Sequence, residues 1–434
     1  MKITLIAGAR PNFMKVAPII KAIKAHNEGL SVTADGLRDA NKRIEYRLVH
    51  TGQHYDKNMS DTFFEELGIP APDVNLGCGG GSQAEQTAAI MVAFEKELMA
   101  HPADIVMVVG DVTSTMACSI VAKKLNTKVC HVEAGIRSWD LTMPEEINRM
   151  VTDSLADYMF TTSEVANRNL IRQGAELVTG DGLQVIGERI LPEDKYANQR
   201  VQQRVWHVGN VMIDTLMANR ARFRKPEVWD ELGLKEKEFV VMTMHRPANV
   251  DEENHLRAMM EQIMDNVHGM PVIFPIHPRT ARLFYNLWKP TSDIVLRTTT
   301  GSPIEQSSSP INGREVCEDS EDILAKRFPN LHIVEPMGYL EFNYLVERAK
   351  AVVTDSGGIT EETTVMGVPC ITLRDNTERP ETCTVGTNEL IGTNPAAIKP
   401  ALDKLFAGEW KKGDIPVLWD GHTAERIIEI LAKL

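Results

Sequence analysis

Residues 104–125, DIVMVVGDVTSTMACSIVAKKL, place a short apolar run before a Gly-Asp turn and a helical stretch. The run is rich in β-branched residues and is bounded by turn residues, which favours a buried strand. The same order of strand, turn and helix recurs elsewhere, for example in KITLIAGA (2–9) followed by MKVAPIIKAIKAH (14–26). This alternation is typical of βα units that form a parallel sheet.

Ten strands of this kind are predicted, five in each half of the chain. They are the segments 2–9, 46–52, 104–111, 128–133, 158–163, 239–245, 271–277, 330–336, 351–357 and 369–375. The predicted fold class is α/β, with two Rossmann-like, doubly wound parallel sheets. The predicted domains are residues 1–207 and 208–420, followed by a helix at 421–434 that could pack back on the first domain. The polar segments 178–204 and 297–322 stand outside the alternation.

Composition excludes several functional classes. The chain of 434 residues carries 47 Lys and Arg against 60 Asp and Glu, a formal net charge of −13. Nucleic acids and anionic membranes need a basic surface, so neither is an expected partner. No apolar window is long enough to span a bilayer, and the first strand is too short for a signal peptide. The expected location is cytoplasmic, with the six scattered cysteines reduced.

Polar residues follow several predicted strands, at the edge where ligands bind in open α/β sheets. They are Arg10, Asp111, Glu133, His245, His277 and Ser356. We expect these residues to face one another across a cleft between the two sheets.

The turn at Ser356, Gly357 and Gly358 predicts a phosphate site. Small residues at a helix start let anionic oxygens approach the backbone N–H groups. Arg10 and Lys15, near another helix start, could neutralise the other side of a diphosphate. The stretch GCGGGS at 77–82 does not fit a dinucleotide fingerprint, and no metal-binding spacing is present, so neither a nicotinamide cofactor nor a metal ion is expected.

The stretch HVEAGIRSWDLTMPEEINR (131–149) is dense in ionisable residues. Thr142 and Glu145 match a capping box at the start of a helix. The apolar face of that helix is formed by Ile147, Met150, Val151 and Leu155.

Capping does not explain Asp111, Glu133 and Arg137. Carboxylates that converge from two strand ends and one helix start suit general acid and base catalysis at two faces of a substrate.

The motifs together resemble the non-hydrolysing UDP-N-acetylglucosamine 2-epimerases along nearly the whole chain. They are GARPNFMKVAPI, TGQHYDKNMSDTFF, GDVTSTMACSIVAKKLN, HVEAGIRSWDLTMPEEINR, VGNVMIDTL, TMHRPANVD, DSGGITEE, RDNTERPET and VGTNELIG. The resemblance implies two domains of the glycosyltransferase-B type with the active site between them, commonly in a homodimer. It also implies interconversion of UDP-GlcNAc and UDP-ManNAc without a metal or nicotinamide cofactor.

The family's functional residues can be carried onto this sequence. The implied nucleotide and diphosphate contacts are Arg10, His245, Phe342, Ser356, Gly357, Gly358, Glu362 and Arg379. The implied catalytic residues are Lys15, Asp111, Glu133, Glu145 and His245. Arg137 is added as a candidate substrate contact from its place in the ionisable stretch.

The expected reaction eliminates UDP to a 2-acetamidoglucal, protonates C2 from the opposite face and returns UDP. Four alternatives stay open. They are a hydrolysing epimerase that releases ManNAc and UDP, an epimerase of a related diacetamido-uronic acid sugar nucleotide, a retaining glycosyltransferase of the same fold, and a sugar-nucleotide-binding regulator without catalysis.

Overall fold

A computed structural model describes most of the chain, as two α/β units. The described residues are 1–29, 43–53, 67–179, 182–183, 203–276, 284, 288 and 324–434. Unit 1 comprises Met1–Phe223, Asn376–Gly386 and Gly413–Leu434, and unit 2 comprises Arg224–Asp375 and Thr387–Lys412. Three predicted features lie outside the described residues: the segment 297–322, most of the segment 178–204, and His277.

The described strands are listed first. They are β1 Lys2–Ala7, β2 Glu45–His50, β3 Val74–Asn75, β4 Ile105–Val109, β5 Lys128–Val132, β6 Tyr158–Thr161, β7 Glu176–Thr179, β8 Gly182–Leu183, β9 Arg204–His207, β10 Val240–Thr243, β11 Val272–Pro275, β12 Leu331–Val334, β13 Ala351–Thr354, β14 Cys370–Thr372 and β15 Asn388–Leu390.

The described α-helices follow in the same order. They are α1 Arg10–Gly29, α2 Gln83–Ala100, α3 Thr113–Lys124, α4 Pro144–Leu155, α5 Glu164–Arg172, α6 Val211–Asn219, α7 Glu227–Glu231, α8 Pro247–Val250, α9 Glu253–Asn266, α10 Tyr339–Arg348, α11 Gly357–Met366, α12 Pro380–Thr384, α13 Ile398–Phe406 and α14 Thr423–Leu431. Short 3-10 helices span Arg220–Arg222 and Pro395–Ala397. No helix within the described part of the chain combines the length and apolar character that a membrane crossing needs.

Both units contain a doubly wound parallel sheet, so the predicted fold class is confirmed. In the described residues of unit 1 the strand order is β3-β2-β1-β4-β5-β6-β9-β7-β8, and only β7 with β8 is antiparallel. In unit 2 the order is β12-β11-β10-β13-β14-β15, and every pairing between its described strands is parallel. Strand order reverses between β1 and β4 and between β10 and β13, and such switch points are where ligands bind.

Strand β4 shows why the predicted strands are continuous apolar runs. Ile105, Met107 and Val109 lie in one core cluster of unit 1. Val106 and Val108 lie in a second cluster on the other face of the sheet. A strand covered by helices on both faces needs apolar residues at every position. Burial of each such side chain stabilises the fold by about 1.5–3 kcal/mol.

The division between the units differs from the predicted boundary at residues 207 and 208. Helix α6 stays with unit 1, where the Thr215 hydroxyl donates to the Met14 carbonyl at 2.5 Å. Asp214 on the same helix accepts the backbone N–H groups of Thr423 and Ala424. These bonds fix the start of α14, which packs against α1 in the core of unit 1. The chain therefore leaves unit 1 only after Phe223.

Candidate active site

The turn after β4 carries Asp111 and is held by side chains from three other elements. The Val109 carbonyl accepts from the Asn12 amide at 2.9 Å, and the Gly110 carbonyl faces His131 Nε2 at 2.8 Å. The Asp111 carbonyl accepts from the Asn148 amide at 2.8 Å. Three consecutive carbonyls thus have side-chain partners, which fixes the direction in which Asp111 leaves the strand.

Asp111 is held as a carboxylate. Its Oδ2 accepts two hydrogen bonds from Arg149, at 2.9 Å from Nε and 2.6 Å from a terminal nitrogen. Burial alone would raise the pKa of Asp111, but the charges of Arg149, Lys15 and Arg379 outweigh it. The net result is a pKa below the ordinary value. The side chain remains 27% exposed, so the ionised group is accessible to a ligand.

Glu133 follows β5 in a strained conformation. Its φ is +70°, in the left-handed region that non-glycine residues rarely adopt. Glu133 Oε2 lies 2.5 Å from Lys15 Nζ and 3.5 Å from a guanidinium nitrogen of Arg379. Its other oxygen, Oε1, is buried and has no hydrogen-bond partner among the described residues. One oxygen is therefore fixed by two cations, and the other has an unused acceptor position.

Helix α4 begins differently from the predicted capping box. The N-cap is Met143, with no side-chain cap, because the Thr142 hydroxyl donates to Asp140 at 2.6 Å. Glu145 is half-buried. The neighbouring Glu146 is fully buried and accepts the backbone N–H groups of residues 138 and 139.

The predicted apolar face of α4 is not the face that the helix buries. Ile147 and Met150 are 47% and 38% exposed, and Val151 and Leu155 are intermediate. The buried residues are Glu146, Asn148, Arg149, Thr152 and Asp153. This side of the helix faces charged strand ends, where polar side chains find partners that an apolar face would not.

Arg149 joins three carboxylates and was not a predicted site residue. Besides Asp111, it contacts Glu146 at 2.6 Å and Glu378 at 3.6 Å. Glu378 and the predicted Arg379 belong to the segment 376–386. This segment is part of unit 1, although in sequence it lies between the two segments of unit 2. The polar residues at positions 146, 149 and 153 are spaced for one helix face, and this spacing was the available signal for Arg149.

The predicted substrate contact Arg137 is committed elsewhere. Its guanidinium has no exposed surface and contacts Asp153 at 2.7 Å. This geometry favours a structural role. Arg10 is the first residue of α1, and its side chain is not among those described.

In unit 2, His245 follows β10 and Asp355 follows the adjacent β13. His245 Nδ1 lies 2.8 Å from Asp355 Oδ1, and the imidazole is 63% exposed while Asp355 is fully buried. Asp355 also accepts the backbone N–H groups of His245 and Arg246. Burial would raise the pKa of Asp355, but these hydrogen bonds and the nearby His245 lower it to about 2. The carboxylate therefore orients the His245 ring and leaves Nε2 towards solvent.

The predicted phosphate turn lies beside this pair, at the start of α11. The Ser356 side chain makes no capping hydrogen bond, so the first N–H groups of the helix keep their capacity to bind an anion. A methyl group placed on Gly358 would meet nothing within 4 Å, which leaves room for a ligand. The geometry is compatible with the predicted diphosphate contact.

Glu362 lies further along α11 and is buried at 4% exposure. Tyr339 Oη donates to Glu362 Oε1 at 2.8 Å. Burial and the adjacent Glu361 raise the pKa of Glu362 to about 7, against the lowering effect of hydrogen bonds from Tyr339 and Asn343. Phe342 is half-buried on α10 and packs against the core of unit 2.

Unit 1 therefore brings together Lys15, Asp111, Glu133 and Arg379, and unit 2 brings together His245 with the Ser356–Gly358 turn. Among the described residues, no group of three or more His, Cys, Asp or Glu side chains is placed to hold a metal ion.

Comparison with known proteins gives concordant results. A family model described as UDP-N-acetylglucosamine 2-epimerase matches residues 38–432. The UDP-N-acetylglucosamine 2-epimerase of Methanocaldococcus jannaschii is 34% identical over 99% of this chain and 99% of its own length. The UDP-2,3-diacetamido-2,3-dideoxy-D-glucuronate 2-epimerase of Pseudomonas aeruginosa is 32% identical over the full length of both chains.

Solved structures agree in fold. The M. jannaschii UDP-GlcNAc 2-epimerase in complex with UDP-GlcNAc and UDP has a TM-score of 0.73 and 34% identity, with both chains fully covered. The Neisseria meningitidis UDP-GlcNAc 2-epimerase bound to UDP-GlcNAc has a TM-score of 0.73 and 25% identity, also with full coverage. The pair of Rossmann-like sheets is thus of the glycosyltransferase-B type.

Proposed function

Because this chain belongs to the UDP-N-acetylglucosamine 2-epimerase family, we propose that it interconverts UDP-GlcNAc and UDP-ManNAc and retains UDP. The observation that carries the proposal is the arrangement of Glu133 and Asp111. Glu133 has one oxygen bound by Lys15 and one buried oxygen without a described partner, while Asp111 is held ionised by Arg149. Two carboxylates in different environments are what proton transfer at two faces of one carbon requires.

The chemistry explains why carboxylates and anion contacts are both needed. The C2 proton of the sugar has no adjacent carbonyl group, so a carboxylate alone cannot remove it readily. Cleavage of the anomeric C–O bond gives the sugar cationic character and makes C2–H more acidic. A carboxylate then accepts the C2 proton, the C–O electrons leave with UDP, and a 2-acetamidoglucal forms. Protonation of C2 from the opposite face and return of UDP to C1 complete the epimerisation.

Each group of residues has an assigned part. Asp111, Glu133 and Glu145 supply the base, the acid and stabilisation of the cationic carbon. Lys15 balances the charge of Glu133, and Arg10 and Arg379 are assigned to the departing diphosphate.

In unit 2, the Ser356–Gly358 turn and His245 stabilise the departing diphosphate, as expected for a helix N-terminus and an oriented imidazole. Glu362 and Phe342 bind the nucleoside. Each of these assignments is supported by the position of the residue at the end of a strand or on the adjoining helix.

A second candidate substrate is a UDP-diacetamido-uronic acid. The relative named for such an epimerase matches this chain from end to end at nearly the same identity as the M. jannaschii enzyme. Epimerisation at C2 would use the same carboxylates, so the choice depends on how the sugar substituents are bound.

Proton NMR in D₂O tests the proposal directly. Purified protein is incubated with UDP-GlcNAc, and separately with the diacetamido-glucuronate analogue, without added metal or cofactor. UDP-ManNAc with deuterium at C2 supports the proposal, and exchange only in the analogue selects the second substrate. Free ManNAc and UDP identify a hydrolysing epimerase. Saturable binding without deuterium entry in either sugar contradicts an epimerase of any kind.

We also propose a homodimer. Trp139, Leu141, Ile147 and Met150 are 38–64% exposed, on α4 and on the loop before it. A helix that buries its polar side presents apolar residues to solvent, and such a surface suits a second copy of the chain.

Light scattering after size exclusion measures the mass. Combining Ile147→Glu with Met150→Glu should give monomers, whereas Val417→Glu, at an apolar residue that is 68% exposed, should not change the mass. A monomeric native protein would contradict this proposal.

A further inference from the structure

Asp153 forms a buried network that the proposed chemistry does not use. Its Oδ1 lies 2.6 Å from His131 Nδ1, and its Oδ2 lies 2.7 Å from Arg137. All three side chains have no exposed surface. Burial would raise the pKa of Asp153, but His131 and Arg137 outweigh it and lower that pKa. The carboxylate is therefore a hydrogen-bond acceptor on both oxygens.

The network reaches the turn that carries Asp111. His131 Nε2 lies 2.8 Å from the Gly110 carbonyl oxygen. A carbonyl oxygen only accepts, so Nε2 must donate to it. Asp153 is thus linked through the His131 ring to the residue immediately before Asp111.

The same carboxylate reaches the turn that carries Glu133. Asp153 Oδ2 accepts the backbone N–H of Gly135 at 3.0 Å. The carbonyl of Gly135 accepts in turn from the Asn169 amide at 2.9 Å. One side chain on α4 therefore joins two turns that follow different strands.

Both turns contain backbone conformations that need external support. Gly110 has φ +67°, Glu133 has φ +70° and Gly135 has φ +78°. For Glu133 this conformation is unfavourable and persists only where surrounding contacts impose it. Loss of the Asp153 contacts would let the two turns relax independently.

We propose that Asp153, acting through His131 and Gly135, is a positioning residue that sets the relative aim of Asp111 and Glu133. The expected loss of kcat rests on the proposed function. The expected change in the positions of the two turns rests on the described geometry alone. Reactions that depend on two oriented groups are sensitive to small displacements of either group.

The test compares Asp153→Asn with a matched control, Asp157→Asn. Asp157 is also buried, accepts the Val129 N–H at 2.8 Å and pairs with Lys123. Its contact with Val129 lies at the opposite end of β5 from Glu133. Asp157 therefore stabilises the same strand without contacting either turn. An asparagine at position 153 removes the negative charge that pairs with Arg137 and replaces one acceptor oxygen with an N–H₂ donor.

D153N should lower kcat by about tenfold to a hundredfold, because a 1 Å misplacement of an active group can cost about a hundredfold. KM for UDP-GlcNAc and the dissociation constant and stoichiometry of UDP by calorimetry should not change. D157N should lose comparable thermal stability with kcat preserved. The inference is overturned if D153N has native kcat, or if its kcat falls only as much as the fraction of protein that binds UDP. It is also overturned if D157N loses as much kcat as D153N.

Hydrogen–deuterium exchange provides a readout that does not depend on turnover. D153N should raise exchange in peptides that contain Gly110 and in peptides that contain Glu133, whereas D157N should affect neither turn. His131→Phe removes the link from Asp153 to Gly110 and leaves the bond from Asp153 to Gly135 in place. It should therefore raise exchange only in peptides that contain Gly110. This variant replaces D153N in the test if D153N does not fold. Unchanged exchange in both turns overturns the inference, whereas inactivity of the wild-type protein on UDP-sugars refutes only the proposed function.

Discussion

Replacement of Gly110 by alanine should separate the proposed catalytic role of Lys15 from fold stability. A Cβ atom at Gly110 would lie 2.9 Å from Lys15 Nζ, while ordinary contact begins at 3.4 Å. The ammonium group must therefore move by at least 3.4 − 2.9 = 0.5 Å. Its ion pair with Glu133, now 2.5 Å long, must lengthen or reorient.

Gly77 offers a matched control in the same unit. Its φ is +66°, against +67° for Gly110, and a Cβ atom there would meet nothing within 4 Å. Alanine in this left-handed region costs about 1–2 kcal/mol at either position. The two variants should therefore show similar losses in the free energy of unfolding, since Lys15 ends in a flexible chain that can yield.

Only the Gly110 variant should lose catalysis. If Lys15 acts beside the reacting atoms as proposed, a displacement of 0.5 Å should lower kcat by about tenfold, because a 1 Å misplacement can cost about a hundredfold. The assay is the initial rate of deuterium entry at C2 of UDP-GlcNAc, together with urea unfolding of both variants. Equal kcat values for Gly110→Ala and Gly77→Ala would refute the reasoning, and so would a Gly110 variant that is much less stable than the control.

Three further predictions concern individual carboxylates. Glu133→Gln should lower the rate of deuterium exchange at C2 by about a thousandfold, because the amide cannot transfer the proton. The affinity for UDP, measured by calorimetry, should not change. A parallel loss of exchange rate and UDP affinity would indicate a binding role for Glu133. The pKa of Asp355 is lowered to about 2, so its ionised form stabilises the fold by on the order of 2 kcal/mol at pH values above about 4. This stabilisation is lost as the pH falls through 2. Asp355→Asn should therefore unfold more readily at neutral pH and resemble wild type near pH 2, and it should reduce kcat because His245 loses its orienting acceptor. The pKa of Glu362, raised to about 7 from 4.5, makes its ionisation unfavourable by about 3 kcal/mol above pH 7. Glu362→Gln should therefore gain stability relative to wild type as pH rises from about 4.5 to 7, and a pH-independent difference in thermal unfolding would contradict the assignment.

The ten predicted strands are all present. Most are short apolar runs such as β4 and β13, which are buried at every position and therefore leave little choice of conformation. The sequence did not predict β3, β7, β8, β9 or β15. Strand β3 has two residues, and β9 is RVWH, with intermediate burial at three of four positions, so neither shows a run of buried apolar residues. The strand at Asn388–Leu390 has no apolar periodicity and depends on its neighbour β14.

Helix α4 shows where local pattern fails. Its apolar residues follow helical spacing, and this spacing normally marks the buried face. Here the buried face is charged, because Arg149 finds Asp111 on another strand end and Glu378 on a segment more than two hundred residues away. Such partners are set by tertiary structure. A short window of sequence around Arg149 contains neither Asp111 nor Glu378, so local pattern cannot reveal these ion pairs.

The two sheets also show why fold alone does not determine chemistry. Each contains six strands in the order 3-2-1-4-5-6, which β9, β7 and β8 extend in unit 1. In both sheets, candidate site residues follow the strands that flank the reversal of order. After β1 and β4 of unit 1, Lys15 and Asp111 belong to a network of paired charges suited to moving protons. After β13 of unit 2, the same topological position carries Ser356 and two glycines at the start of a helix, which suits an anion. Under the proposed function, the same backbone position would serve acid–base chemistry in one unit and leaving-group binding in the other, according to the side chains placed at the strand end.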